Sequence, residues 1–205
     1  MHIVNQYKDK IATLVSEKDN GLYDALNKGI ALATGDIIGI LHSDDFYTTN
    51  TVIAHIIETI TKHNADAAYA DLYYVDKNDT NIVFRKWKSG NYKQGLFLNG
   101  WMPPHPTFFA KRKCYEEFGS FNLNLVSAAD YELLLRFIHK HKIKLAYLPE
   151  FIIKMRVGGK SNVSLYNRLR ANNEDRKAWK LNGLTPRFYT LYFKPLRKII
   201  QLFRK

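Results

Sequence analysis

Asp44 and Asp45 stand side by side at the end of the run Gly35-Asp36-Ile37-Ile38-Gly39-Ile40-Leu41-His42-Ser43. The apolar stretch reads as a buried strand of a parallel sheet, and the two acids fall where it ends. In open α/β sheets the ligand crevice lies outside the carboxyl ends of the strands. Two carboxylates there make a hard oxygen site suited to Mg²⁺ or Mn²⁺, ions that commonly bridge to substrate phosphates. A plainer role competes: Ser43 or Asp44 caps a helix starting near Thr49. His105, in Met102-Pro103-Pro104-His105-Pro106-Thr107, sits in a loop before a strand, where a lone histidine is either structural or functional. Lys160 and Ser161 follow Gly158-Gly159 in a glycine loop that could fold over a diphosphate, or be a plain turn. Cys114 lies in a charged helix without a signposted base, which disfavours a thiol nucleophile. Zinc-type Cys/His spacing is missing, and so are a Walker A loop and a Gly-x-Gly-x-x-Gly loop, so ATPase and dinucleotide readings lack their physical basis.

These residues need elements to hold them. The pattern predicts the end of a helix over 2–10, a strand over 11–15 and a helix over 22–33 with Leu22, Ala25, Leu26, Ile30 and Ala33 inward. A strand over 36–41 follows, then a helix over 49–63 with Val52, Ile53, Ile56, Ile57 and Ile60 at helical spacing. Strands are expected over 67–75 and 82–87, joined by a turn at Asn78-Asp79, and a short one over 107–110 after a loop over 99–106. Helices over 113–118 and 130–141, an extended stretch over 145–157 and two closing helices over 165–181 and 186–204 complete the chain. Alternating strands and helices imply an α/β domain with a mostly parallel sheet flanked by helices. The start within an apparent helix suggests that an N-terminal βαβ portion is missing.

With 205 residues, 46% of them hydrophobic and 14% aromatic, the chain suits one domain plus an appendage. A single cysteine excludes an internal disulfide and fits a reducing compartment. With no secretory signal and no bilayer-spanning apolar run, a cytoplasmic protein is expected. The net charge of +12 is concentrated: residues 151–205 hold 14 Lys and Arg against Glu174 and Asp175, while residues 1–150 are balanced. A localised basic segment points to an anionic surface, either nucleic acid or acidic lipid.

Four segments, in order, carry a wider resemblance: Ser16-Glu17-Lys18-Asp19-Asn20-Gly21-Leu22-Tyr23-Asp24-Ala25-Leu26-Asn27-Lys28-Gly29, Ser43-Asp44-Asp45, Ala129-Asp130-Tyr131-Glu132-Leu133-Leu134-Leu135-Arg136 and Gly158-Gly159-Lys160-Ser161-Asn162. Together they resemble the family-2 glycosyltransferases, inverting enzymes of the Rossmann-like GT-A fold that use nucleotide-sugar donors. The likeness runs from about residue 3 to about residue 162, and the first block is typical of bacterial surface-polysaccharide enzymes. It implies that Asp45 ligates a Mn²⁺ or Mg²⁺ ion, that Asp44 and Asp19 contact the donor, and that Lys28 approaches a phosphate, unless Lys28 is simply a solvated helix lysine. Asp24 and Asn27 could equally bond backbone at the helix start. Asp130 matches the base that takes the acceptor hydroxyl proton; at the start of an amphipathic helix it could also be an N-cap. The acid that usually precedes it is Ala129 here. His105 matches a histidine that faces the acceptor in relatives, and His42 replaces a residue often Asn or Asp. The family's first strand and Asp-Gly-x-Ser-x-Asp-Gly-Thr segment, which form the nucleotide pocket, have no counterpart here.

In the tail, Leu191, Tyr192, Leu196, Ile199, Ile200 and Phe203 fill one half of a helix, with Arg187, Lys194, Arg197, Lys198, Arg204 and Lys205 on the other. Such a helix reads as an interfacial membrane segment, or as one packed on its own domain. Pro195 would cost about 3 kcal/mol within a continuous helix, so a kink or two short helices is expected. Nucleic acid is disfavoured because the aromatics lie on the apolar face rather than among the cations. The division expected is a partial GT-A domain over 1–162 and a basic helical extension over 163–205. The expected function is a hexosyltransferase-type transfer from a UDP-sugar to a lipid-linked glycan in surface-polysaccharide synthesis, peripheral on the inner membrane face. The alternative is a non-catalytic remnant or partner subunit that binds glycan or membrane.

Overall fold

A computed structural model describes residues 2–158 and 165–203; Lys160 and Ser161 lie outside them. The chain opens with a one-turn helix α1 (His2–Asn5) and a 3-10 turn (Lys8–Lys10). It continues through α2 (Leu22–Leu32), β1 (Ile37–Gly39), β2 (Asp45–Tyr47), α3 (Val52–Lys62), β3 (Ala67–Val75) and β4 (Val83–Trp87). After 3-10 turns at Leu96–Asn99 and His105–Thr107 come β5 (Phe109–Lys111), α4 (Arg112–Phe118) and α5 (Ala129–Leu134), which widens into a π-helical turn at Leu135–Lys140. Strand β6 (Leu145–Arg156) and helices α6 (Leu165–Leu181) and α7 (Thr190–Phe203) close the chain.

Six strands form one sheet in the order β1-β5-β3-β6-β2, with β4 also on β3. The helix-flanked α/β architecture is as expected, but the sheet is mixed rather than mostly parallel. Among the described residues only β3 and β6 pair in parallel; β1 with β5, β5 with β3, β3 with β4 and β2 with β6 are antiparallel. The reason is topological. β5 returns after the long connection from β4 and inserts between β1 and β3, so two strands of the same sense are never neighbours there.

Two cores sandwich the sheet. On one face Val52, Ile56 and Ile60 of α3 pack on Ala68, Ala70, Leu72 and Ile153. Their i, i+4, i+8 spacing brings one helical face onto the sheet, and each such side chain is worth about 1.5–3 kcal/mol when buried. On the other face, α5 and its π-turn bury Leu133, Leu134, Phe137 and Ile138 against Tyr69, Phe97 and Trp179. In α2, Ile30 is buried and Leu26 packs on this core, while Leu22 is exposed, contrary to expectation.

Two further expectations fail. Residues 11–15 form no strand: Ile11, Leu14 and Val15 are exposed, and no neighbouring strand among the described residues takes their backbone bonds. Ser43 and Asp44 cap no helix, because α3 starts at Val52 behind Thr51 and β2 intervenes.

Candidate active site

Strand β2 begins at Asp45, so the second acid of the pair is fixed by a sheet ladder rather than by a loop. Asp45 lies opposite Met155 of β6, Met155 opposite Tyr74 of β3, and Tyr74 opposite Arg85 of β4. Residues directly opposite one another share a sheet face. Arg85, Tyr74, Met155 and Asp45 therefore form one row across four strands. The Arg85 guanidinium lies 3.8 Å from the Tyr74 ring centre, and the Tyr74 and Trp87 rings are parallel within 8°. Two polar atoms of this row, Asp45 Oδ2 and Arg85 Nε, are buried without a hydrogen-bond partner. Leaving such a group unmet costs about 1–3 kcal/mol, a cost a ligand removes. Burial raises the Asp45 pKa; His42 and Arg156 act against this, and Asp44 adds to it. Arg156 donates from Nη1 to the Asp44 carbonyl at 2.9 Å, which ties the Asp44-Asp45 turn to the end of β6.

Asp130 occupies the second position of α5, with Ala128 at the N-cap, so the capping role does not hold. Tyr23 of α2 donates its hydroxyl to Asp130 Oδ1 at 3.3 Å. The Tyr23 ring stacks on Phe121 at 5.3 Å, and Phe121 meets His105 edge-on at 5.5 Å. His42 lies 6.1 Å from His105, ring centre to ring centre. Thr107 fixes the turn carrying His105: its hydroxyl binds the Ala70 and Pro104 carbonyls and accepts the Ala70 N–H. Burial lowers the His105 pKa to about 4, with Asp130 pulling it up and His42 pushing it further down. Burial also drives the Tyr23 hydroxyl well above its ordinary value, with Asp130 adding to the effect, so Tyr23 stays a proton donor toward that carboxylate. Asp45 and Asp130 both bear electrostatically on Tyr74. The two acids, 85 positions apart in the chain, thus lie within electrostatic range of one ring.

Asp19 and Lys28 sit elsewhere. They line a groove of about 580 Å³ between residues 12–19 and α2, and its lining includes neither Asp44, Asp45 nor Asp130. The Lys28 Nζ lies 2.7 Å from Glu17, 3.1 Å from Asp19 and 3.4 Å from Asp24. Three carboxylates raise its pKa and occupy its charge. It is not a plain solvated lysine, since these contacts pin the loop to α2. Asp24 accepts the Asn20 N–H, and the Asn27 amide bonds both backbone groups of Phe121, so both serve structure. Cys114 is buried and its thiol is pushed up to about 11 by that burial, the opposite of a nucleophile.

Sequence reading missed Tyr23, Tyr74 and Arg85 as site residues. Tyr23 lay inside a recognised block; Arg85 and Tyr74 carried no local signal, since only strand register joins them to Asp45. For a divalent cation, the orphaned Asp45 Oδ2 with Asp44 beside it is a fitting oxygen donor. Among the described residues no group of three or more His, Cys, Asp or Glu gathers to hold a metal. A cation here would take its remaining ligands from substrate phosphates and water, as Mg²⁺ commonly does.

Known proteins resemble this chain. Residues 2–119 match the family described as Glycosyl transferase family 2. An uncharacterized glycosyltransferase of Mycobacterium tuberculosis is 32% identical over 122 residues, which is 59% of this chain and 45% of that protein. Another, of Methanocaldococcus jannaschii, is 24% identical over 162 residues, 77% of this chain and 54% of its own length. Among solved structures, S. aureus TarS 1–349 in complex with UDP-GlcNAc superposes with a TM-score of 0.62 at 14% identity, covering 88% of this chain and 52% of that one. The chain spans about half the length of the relatives it matches.

Proposed function

This chain belongs to glycosyl transferase family 2, and from that premise we propose that it serves an inverting transfer of a sugar from a nucleoside-diphosphate donor to a glycan acceptor. The observation that carries the proposal is the orphaned Asp45 Oδ2, joined to Asp130 through a run of contacts: Asp45 N–H to the His42 carbonyl, His42 beside His105, His105 on Phe121, Phe121 on Tyr23, and the Tyr23 hydroxyl on Asp130. Inversion requires one group to take the acceptor proton while charge on the departing diphosphate is met from the other side. Asp130 is the base of this proposal. Asp45, with Asp44, would hold a Mg²⁺ or Mn²⁺ ion, which supplies positive charge to the leaving diphosphate. His105, held neutral by burial, is assigned to the acceptor side in this proposal. The donor is a nucleotide sugar of the UDP class, a reading supported by the UDP-GlcNAc and UDP complexes of the TarS neighbour.

The acceptor we propose is lipid-linked, within surface-polysaccharide synthesis at the cytoplasmic face of a membrane. Support comes from α7, which exposes Phe188 just before it and Tyr192, Phe193 and Leu196 along it. Among the described residues no helix is long and apolar enough to cross a membrane, so contact through this face would be peripheral.

Asp130→Asn tests the base. Transfer from a UDP-sugar should fall about 10²–10⁴-fold while UDP affinity by calorimetry stays unchanged. Undiminished turnover would remove Asp130 from the mechanism.

A further inference from the structure

Helix α5 has six residues and no side-chain cap of its own, Ala128 standing at the N-cap. So short a helix is not stable alone, and the turn that leads into it has N–H groups of its own that need an acceptor. Glu174, from α6, supplies one. Its Oε2 accepts the N–H groups of Val126 (3.1 Å), Ser127 (2.7 Å) and Ala128 (3.1 Å), and the Ser127 hydroxyl at 2.9 Å. The residue is 5% exposed. A carboxylate removed from water this far is tolerated only when donors surround it, and here they are the three backbone groups leading into Asp130. The end of α6 and the residue after it hold the next two residues: Trp179 donates Nε1 to the Tyr131 hydroxyl at 2.8 Å, and Asn182, just past Leu181, donates to Glu132 Oε1 at 2.9 Å. Asp130 itself has a long bond from Tyr23, 3.3 Å, so its aim is set mainly by its backbone.

We infer that Glu174 is a positioning residue for the base: it caps the turn before α5 from outside and thereby fixes the direction in which Asp130 presents its carboxylate. The inference rests on the proposed role of Asp130. It gives α6, which lies beyond the matched residues 2–119, a part in the reaction without contact to substrate. Displacing a catalytic group by about 1 Å can cost about 10²-fold in rate, so a cap this close to the base matters to turnover and not to binding.

Glu174→Gln keeps the shape and removes the charge. With UDP-GlcNAc as the probe donor, its kcat should fall about tenfold or more with KM within about twofold. The discriminating arm adds Glu174→Gln to Asp130→Asn. If Glu174 acts through Asp130, the double variant should turn over no more slowly than Asp130→Asn alone; a further loss equal to that in the wild-type background would mean general structural damage and overturn the inference. Hydrogen exchange at the amides of residues 126–131 is measured on the same proteins. Protection should drop in Glu174→Gln, and unchanged protection would overturn the cap whatever the catalytic outcome. Wild-type protein that turns over no UDP-sugar would sink the role of Asp130 instead, while exchange still decides the cap.

Discussion

Asp45 keeps Oδ2 out of water with no donor to meet it, and burial raises its pKa. A divalent cation would relieve both conditions at once. Asp45→Asn should therefore abolish the gain in UDP affinity produced by Mn²⁺; equal Mn²⁺ dependence in the variant, by calorimetry, would refute the metal role. Arg85 is the cationic end of the same row, stacked on Tyr74 with Nε unpartnered. A guanidinium there suits a phosphate or carboxylate oxygen. Arg85→Gln should raise the KM for a UDP-sugar or its acceptor about tenfold or more, as expected for a lost charge-assisted bond of about 1.5–3 kcal/mol; unaltered kinetics would exclude Arg85 from the site. His105 gives a pH signature. Its folded pKa of about 4 lies below the ordinary 6.5, so the unfolded chain takes up the proton first. Its contribution is fully present above pH 6.5 and is lost as pH falls toward 4, up to about 3 kcal/mol. Urea midpoints should thus fall between pH 7 and pH 4 more steeply for the wild type than for His105→Gln, and parallel curves would contradict this origin.

At the level of elements, α7 is the most instructive. The sequence splits it into apolar and basic halves, and the simple reading turns the basic half to an anionic surface. Instead part of the basic half faces the domain: Lys194 pairs with Asp175 at 2.7 Å and lies 3.7 Å from the Tyr131 ring centre, and Arg197 donates to the Asn99 carbonyl. Leu191 is buried, while Tyr192 and Leu196 stay exposed. The helix runs unbroken through Pro195, anchored on both sides of it by Thr190, Lys194 and Arg197. Close approach makes this docking possible. Gly100 has φ +70°, and a Cβ there would meet the Lys194 nitrogen at 2.4 Å. Gly100→Ala should undock α7 or cost about 1–3 kcal/mol, seen as a lower melting temperature and new proteolysis after residue 184; a variant as stable and as resistant as the wild type would contradict that packing. Helices α2 and α3 were legible within a few residues because their apolar periodicity is local. The strand expected over 11–15 was not, because a strand exists only where another strand completes its ladder.

For the molecule as a whole, charge and exposed apolar surface gather at the same end of the chain. If α7 rests on lipid, its exposed ring and aliphatic face should insert while the remaining cations add attraction. Replacing Phe188, Tyr192 and Leu196 by Ser should abolish sedimentation with anionic liposomes, and retained sedimentation would refute the peripheral contact. Much about this protein was readable along the chain: the α/β class, the family resemblance, the concentration of charge, and Asp44, Asp45 and Asp130 as residues worth attention. Each of these is a matter of composition, short-range period or a contiguous motif. Folding decided the rest. The sense of β5, the row joining Arg85 to Asp45, the diversion of Lys28 onto three carboxylates, the inward turn of part of α7's basic face and the capping of α5 by Glu174 all join residues far apart in sequence. Such pairings are selected by strand register and by the need to satisfy buried polar groups, and neither is encoded in any local stretch of residues.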